Sequence, residues 1–304
     1  MKIQKILNIL TVITGAIAVT VTSLWIGKQT YCWLPPQAAA ESQLIDDLIS
    51  FLVTLGAFIF LGVTSTLIYS IIFHRAEKDD LSDDPPIDGN ITVEVIWTAI
   101  PILLVFWIAG YSYQVYEQMG IQGPMELVHL HNPMGMQSAY AAPQEDLAEP
   151  VEKIDVLAKQ WAWVFHYPEK DITSSELHLP SDRRVRLALR SQDVLHGFYI
   201  PAFRLKQDII PNQSIDFEFT PIRAGKYRLT DSQYSGTYFA TMQANVVVES
   251  PEEYHQWKAL AATQKPSPAN NQATSEYAQA ASKSIKTGWV TVAPAAPPLV
   301  NYPG

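Results

Sequence analysis

Three long apolar runs restrict this chain to folds that live in a membrane. They are Ile6–Ile26, Leu48–Phe73 and Ile91–Tyr113. Each meets the roughly 20 residues that an α-helix needs to cross a hydrocarbon core. The first two carry no charge, and the third carries only Glu94, near its start. The other reading, buried helices of a soluble protein, would need three such runs in one soluble domain. Composition opposes it: 48% of the chain is hydrophobic and only 17% charged.

The first run reads two ways. Lys2 and Lys5 precede it and a small-residue stretch near Ala40 follows it, which is the pattern of a cleaved signal peptide. Its apolar region is long for a signal, however, and the small residues lie well beyond its end, which favours an extra, retained helix. Residues 1–40 are therefore an N-terminal hydrophobic segment, and residues 41–115 a transmembrane helical hairpin. Lys2, Lys5, Arg75 and Lys78 favour the cytoplasmic side, which leaves the C-terminal half outside the cytoplasm. A formal net charge of −9 argues against a nucleic-acid partner. Cys32 is the sole cysteine, so neither an intrachain disulfide nor a site needing two thiols can form.

Residues 116–150 read as a linker rich in Gly, Pro and Met. His129 and His131 lie in it; no third ligand is near in sequence, so linker polarity is a simpler reading than a metal pair. From Val151 the period changes to two. Val185, Leu187 and Leu189 alternate with Arg184, Arg186 and Arg190, and Ile215, Phe217 and Phe219 alternate with Asp216 and Glu218. Short strands separated by turn signals such as "RAG" predict a β-sandwich or Greek-key barrel over 151–250. Residues 251–304 open on a short helical pattern and become Pro/Ala-rich, predicting a loosely ordered tail or one packed against a partner.

Several motifs occur together: "VEVIWTAIP" (Val93–Pro101), "KQWAWVFHYP" (Lys159–Pro168), "LHLP" (Leu177–Pro180), "SQDVLHGFYIPAFRLKQDIIPN" (Ser191–Asn212) and "AGKYRLT". In this order they resemble subunit II of the haem–copper terminal oxidases, and "YSYQVYEQMG" resembles cyanobacterial members. The resemblance implies an α+β membrane protein, with a helical hairpin, an extra N-terminal segment and a cupredoxin-like domain. It implies membrane lipid around the helices and oxidase subunits I and III as partners, subunit I holding haem and copper. The location would be a bacterial plasma membrane or a thylakoid, with the β-domain on the periplasmic or lumenal side.

In the family's cytochrome c oxidases this domain holds a dinuclear copper centre. Its pattern is Cys-x-Glu-x-Cys, three residues, His, two residues, Met, with one further His upstream. On this chain those positions are Asp231, Gln233, Ser235, Phe239 and Met242, with His196 upstream. Both thiolates and one imidazole are replaced, so only His196 and Met242 keep ligand chemistry. Copper that shuttles electrons depends on soft thiolate, so the expectation is a hydrogen-bonded, packed remnant and no cofactor in this chain. Tyr234, Ser235, Gly236, Phe239 and Met242 also resemble subunit II of bacterial quinol oxidases. The resemblance then implies a non-redox subunit of an oxidase that reduces oxygen to water with quinol as donor, while moving protons. Two alternatives stay open: a cytochrome c oxidase with another electron route, and a membrane-anchored cupredoxin-like binding protein outside any oxidase.

Glu94 matches the family's subunit II glutamate at the mouth of a proton-uptake channel; the plainer reading is a helix-start carboxylate favoured by the dipole. Trp161 and Trp163 stand at the family's electron-receiving aromatic position, where packing is the simpler role. Gln233 also replaces an acidic residue that helps bind magnesium in the family. Arg204, Lys206 and Asp208 fall where contacts to subunit I are expected.

Overall fold

In the computed structural model, residues 2–73, 89–119, 151–282 and 291–304 are described. His129 and His131 lie outside these residues, as does most of the linker expected at 116–150. The chain divides into two compact units, residues 1–34 with 44–116, and residues 35–43 with 117–304.

The first unit is helical. α1 spans Lys2–Trp33, α2 Ala40–Phe73 and α3 Ile91–Gln118. The shortest, α3, has 28 residues, or about 42 Å at 1.5 Å per residue, beyond the roughly 30 Å of a bilayer core. Large apolar side chains such as Val12, Phe60 and Phe106 point outward from each helix, as lipid-facing helices require. Asn90 starts α3: its side-chain oxygen accepts from the amides of Thr92 (3.1 Å) and Val93 (3.3 Å). This is N-capping, which satisfies donors that a helix start leaves free. Phe51 of α2 packs edge-on against Trp107 and Tyr111 of α3, with centroids 5.1 and 5.2 Å apart.

The second unit is a two-sheet sandwich. Its strands are β1 (Glu152–Lys159), β2 (Ala162–Tyr167), β3 (Ile172–Ser174), β4 (Leu177–Pro180), β5 (Val185–Ser191), β6 (His196–Ile200), β7 (Leu205–Ile209), β8 (Ser214–Phe219), β9 (Gly225–Asp231) and β10 (Gln243–Glu249). One sheet runs β3-β2-β1-β5-β8 and the other β4-β10-β9-β6-β7. β1 pairs parallel with β5, and β10 parallel with β4, while the remaining ladders are antiparallel. The alternation expected for β5 and β8 holds. Val185, Leu187, Leu189, Ile215, Phe217 and Phe219 all enter the core, while the intervening charges pair across the ladder, Arg184 with Glu218 at 2.8 Å.

The segment after β10 differs from a loose tail. Ser250 caps α4 (Pro251–Ala261) in a capping box with Glu253, and α4 buries Tyr254, Trp257 and Lys258 on the sandwich. The Lys258 ammonium, 2% exposed at the side chain, reaches Glu152 (3.1 Å) and Glu169 (2.7 Å), and the Tyr254 hydroxyl donates to Glu152 at 2.8 Å. A buried cation needs such partners, and they fix where α4 lies. α5 (Gln272–Ala281) and the short ladder of β11 (Ser267–Pro268) with β12 (Leu299–Val300) complete the domain. The tail's packing partner is thus its own domain, through a buried charge that periodicity alone does not reveal.

Candidate functional site

The site forms where β6 begins and β9 ends. Asp231 closes β9 opposite Phe198 of β6, so the loop that follows lies beside His196, the first residue of β6. Gly197 permits that approach: a Cβ there would lie 2.2 Å from Ser232 Oγ and 2.9 Å from the Gln233 nitrogen. The Ser232 amide donates to the Gly197 carbonyl at 2.9 Å, which holds loop and strand together.

At the centre the imidazole of His196 stands between two carboxylates. Its Nδ1 lies 2.8 Å from Asp231 Oδ2 and its Nε2 2.9 Å from Asp193 Oδ1. With an acceptor at each nitrogen, both nitrogens donate when the ring is protonated. The side chains of His196 and Asp231 are fully buried. Burial alone would favour neutral imidazole, but the bonds to Asp231 and Asp193 outweigh it and raise the His196 pKa. The Asp231 pKa moves the opposite way. Burial would raise it, but His196, the Gly197 and Gln233 amides and the Ser235 hydroxyl together lower it. Those amides donate to Asp231 Oδ1 at 2.7 and 3.0 Å, and Ser235 Oγ donates to Oδ2 at 2.8 Å. The result is a buried ion pair with its hydrogen-bonding capacity used.

The structure brings five of the six family positions into one network. Ser235 bonds Asp231 directly, and its carbonyl accepts from Gln160 Nε2 (2.6 Å) and Trp161 Nε1 (3.1 Å). The Met242 side chain is buried, and its carbonyl accepts from the Asp231 amide (3.1 Å) and Trp163 Nε1 (3.3 Å). Gln233 gives its backbone amide to Asp231 and its side-chain amide to Asp208 at 2.9 Å. Phe239 stands apart from the polar groups: half-buried, it packs against Tyr234 with ring centroids 5.3 Å apart. Trp163 lies edge-on to His196 at 6.2 Å. Trp161 sits in the turn before β2, and both tryptophans are buried, at 2% and 3% exposure. Gly236, at φ +117°, lets the loop pass over Trp161, since a Cβ would come within 2.8 Å of its ring. Among the described residues no group of three or more His, Cys, Asp or Glu has the arrangement of a metal site.

Asp193 is the participant that sequence reasoning missed. The signal for it was its position three residues before His196 in "SQDVLHG". Of the other expected residues, Arg204 donates to the carbonyls of Pro201 (2.8 Å) and Pro35 (2.6 Å), and Lys206 is exposed. Glu94 lies in the first turn of α3 and is exposed, and its amide donates to the Asn90 carbonyl at 2.9 Å.

These features define a class: a β-sandwich domain that follows membrane-spanning helices in the chain, with the loop after β9 folded around a histidine–carboxylate pair. Comparison with known proteins gives the family. Residues 23–115 match the family model for the cytochrome c oxidase subunit II transmembrane domain, and residues 171–250 the model for its periplasmic domain. The chain belongs to the cytochrome c oxidase subunit II family, within the haem–copper oxidases, and its sandwich is cupredoxin-like. It is 35% identical over 276 residues to cytochrome c oxidase subunit 2 of Synechocystis, covering 83% of this chain and 82% of that one. Cytochrome c oxidase subunit 2 of Thermostichus vulcanus is 32% identical, with coverage of 81% and 83%. Quinol oxidase subunit 2 of Bacillus subtilis is 26% identical, with coverage of 73% and 63%. The crystal structure of the periplasmic domain of subunit II of the Bradyrhizobium japonicum cytochrome oxidase is 24% identical, with a TM-score of 0.34, covering 35% of this chain and 90% of that one.

Proposed function

We propose that this chain is the subunit II of an oxidase whose electrons come from a quinol and that carries no copper centre of its own. The observation that carries the reading is the state of His196. Both its ring nitrogens are engaged by carboxylates, at 2.8 and 2.9 Å, and neither is turned toward a thiolate pair. Asp231 and Ser235 stand where thiolates would be, and Phe239 where an imidazole would be. Such a donor set does not fit a mixed-valence copper pair, which depends on soft bridging sulfur. A soluble protein donor then has no metal relay in this domain, whereas a lipid-soluble quinol can deliver electrons within the bilayer.

The subunit would hold no redox cofactor. Haem and copper belong to subunit I, which with subunit III and membrane lipid makes up its surroundings. The complex would reduce oxygen to water and translocate protons, with Glu94 at the cytoplasmic mouth of a proton path. The membrane is a bacterial plasma membrane or a thylakoid, and the sandwich faces the periplasm or lumen. Magnesium at the position of Gln233 is disfavoured, because a neutral amide stands there and is bonded to Asp208.

The deciding experiment is oxygen uptake by the purified complex with quinol and, separately, with reduced cytochrome c. Uptake is expected with quinol alone. Rapid quinone-free turnover on cytochrome c would support the second reading, a cytochrome c oxidase with another electron route, which the names borne by the more similar relatives favour.

A further test addresses the metal directly. The protein incubated with copper should show no purple mixed-valence spectrum and no matching paramagnetic resonance signal. Combined Asp231→Cys, Gln233→Glu, Ser235→Cys and Phe239→His should create both signals on the same scaffold.

A further inference from the structure

We infer that α1 is a permanent third membrane helix of the mature subunit, not a leader removed near Ala40. The inference is independent of the electron donor, and two separate sets of contacts carry it.

The first set joins α1 to α2. Ser23, Gly27 and Thr30 recur at helical spacing and so share one face. Ser23 and Thr30 are each 1% exposed, whereas Val12 and Trp25 of the same helix are 71% and 62% exposed. A Cβ at Gly27 would fall 1.8 Å from Thr54 Oγ1 and 2.9 Å from the Ser50 carbonyl oxygen. The two backbones therefore approach as closely as only glycine permits. Polar groups cross the contact: Ser50 Oγ donates to the Gly27 carbonyl at 3.0 Å, and the Tyr31 hydroxyl to Asp47 at 2.5 Å. Asp46 is also buried, at 1% exposure. Removing α1 would take the Gly27 acceptor from Ser50, inside the apolar run of α2, where an uncompensated polar group is expensive.

The second set builds the connector between the two helices into the sandwich. Ala38 and Ala39 are fully buried members of its core. The Ala38 amide donates to Ala202 (3.0 Å), the Ile222 amide to Ala38 (2.9 Å) and the Ala40 amide to Thr220 (2.9 Å). The Ala39 carbonyl accepts from both the amide (3.1 Å) and the hydroxyl (2.6 Å) of Ser42, in the first turn of α2. A cut after Ala40 would take away two core residues, the strand-like partner of Pro221 and an acceptor at the start of α2. The alanines that mimic a processing site are small because the core closes over them.

Intact mass and N-terminal peptide mapping of the chain purified from membranes test this. The expected result is a chain that retains its residues ahead of Leu34; a mature N-terminus between Pro35 and Gln43 would overturn the inference. A pair of variants gives a second reading. Gly27→Leu should lower the thermal midpoint of the purified protein by several degrees. Gly15→Leu, where an added Cβ meets nothing within 4 Å, should leave it unchanged. Equal midpoints for both variants would also overturn the inference, because a helix absent from the mature protein cannot report on its own packing.

Discussion

Asp231→Ala is expected to destabilise the protein by about 3–5 kcal/mol, the loss typical when one partner of a buried ion pair is removed. The carboxylate accepts four hydrogen bonds, from His196, Ser235 and the amides of Gly197 and Gln233. Alanine leaves all four donors without an acceptor in a closed site, and leaves the imidazolium opposed only by Asp193. Asp231→Asn keeps the shape and separates the two contributions: the cavity is filled, but the charge that raises the His196 pKa is gone. Denaturant titration of the full-length protein, followed by intrinsic fluorescence, measures both losses. The pH dependence has a definite sign on each side. His196 has a raised pKa in the folded state, so its contribution is complete below about 6.5 and is lost as pH rises through the raised value. Asp231 has a lowered pKa, so its contribution is complete above about 3.9 and is lost as pH falls through the lowered value. The pair therefore stabilises most between those two limits. Asp231→Asn should flatten the acid side and move the alkaline loss to lower pH. Wild-type stability for both variants would show that the pair contributes nothing.

Much of this was legible in the sequence, because its signals are local. An uncharged run of spanning length and a strand of alternating Arg and Val each report their environment from neighbours in the chain. Position in the motif likewise points to Asp231 and Ser235 without coordinates. The network that these two residues enter was not legible. Asp193 and Asp231 lie on either side of His196 only because β9 ends beside the start of β6. Lys258 hid for a related reason: in a polar helical pattern it reads as a solvated charge, yet its partner Glu152 lies at the far end of the domain sequence. Ala38 and Ala39 show a further difficulty. Small residues beyond a hydrophobic helix have two physical causes, peptidase access and tight packing, and composition does not separate them.

Glu94→Gln should leave the complex assembled with its full haem content and slow its turnover by about one to two orders of magnitude. Positioned proton-transfer groups contribute about 10²–10⁴-fold, and water can take over part of that role. Glu94 lies in the first turn of α3, one turn from the Asn90 cap, and is exposed on the helix surface. In the proposed role, this carboxylate takes a proton from the cytoplasmic side and hands it on through water. An amide of the same size can donate and accept hydrogen bonds but cannot carry the proton. If the residue served only the helix dipole, the substitution would remove about 0.3–1 kcal/mol of helix stability and leave turnover nearly untouched. The two roles also differ in Glu94→Asp. A shortened carboxylate retains the dipole interaction fully but moves the proton acceptor by a methylene, so partial activity points to proton transfer. Oxygen uptake by the assembled Glu94→Gln complex equal to wild type would remove this residue from the mechanism.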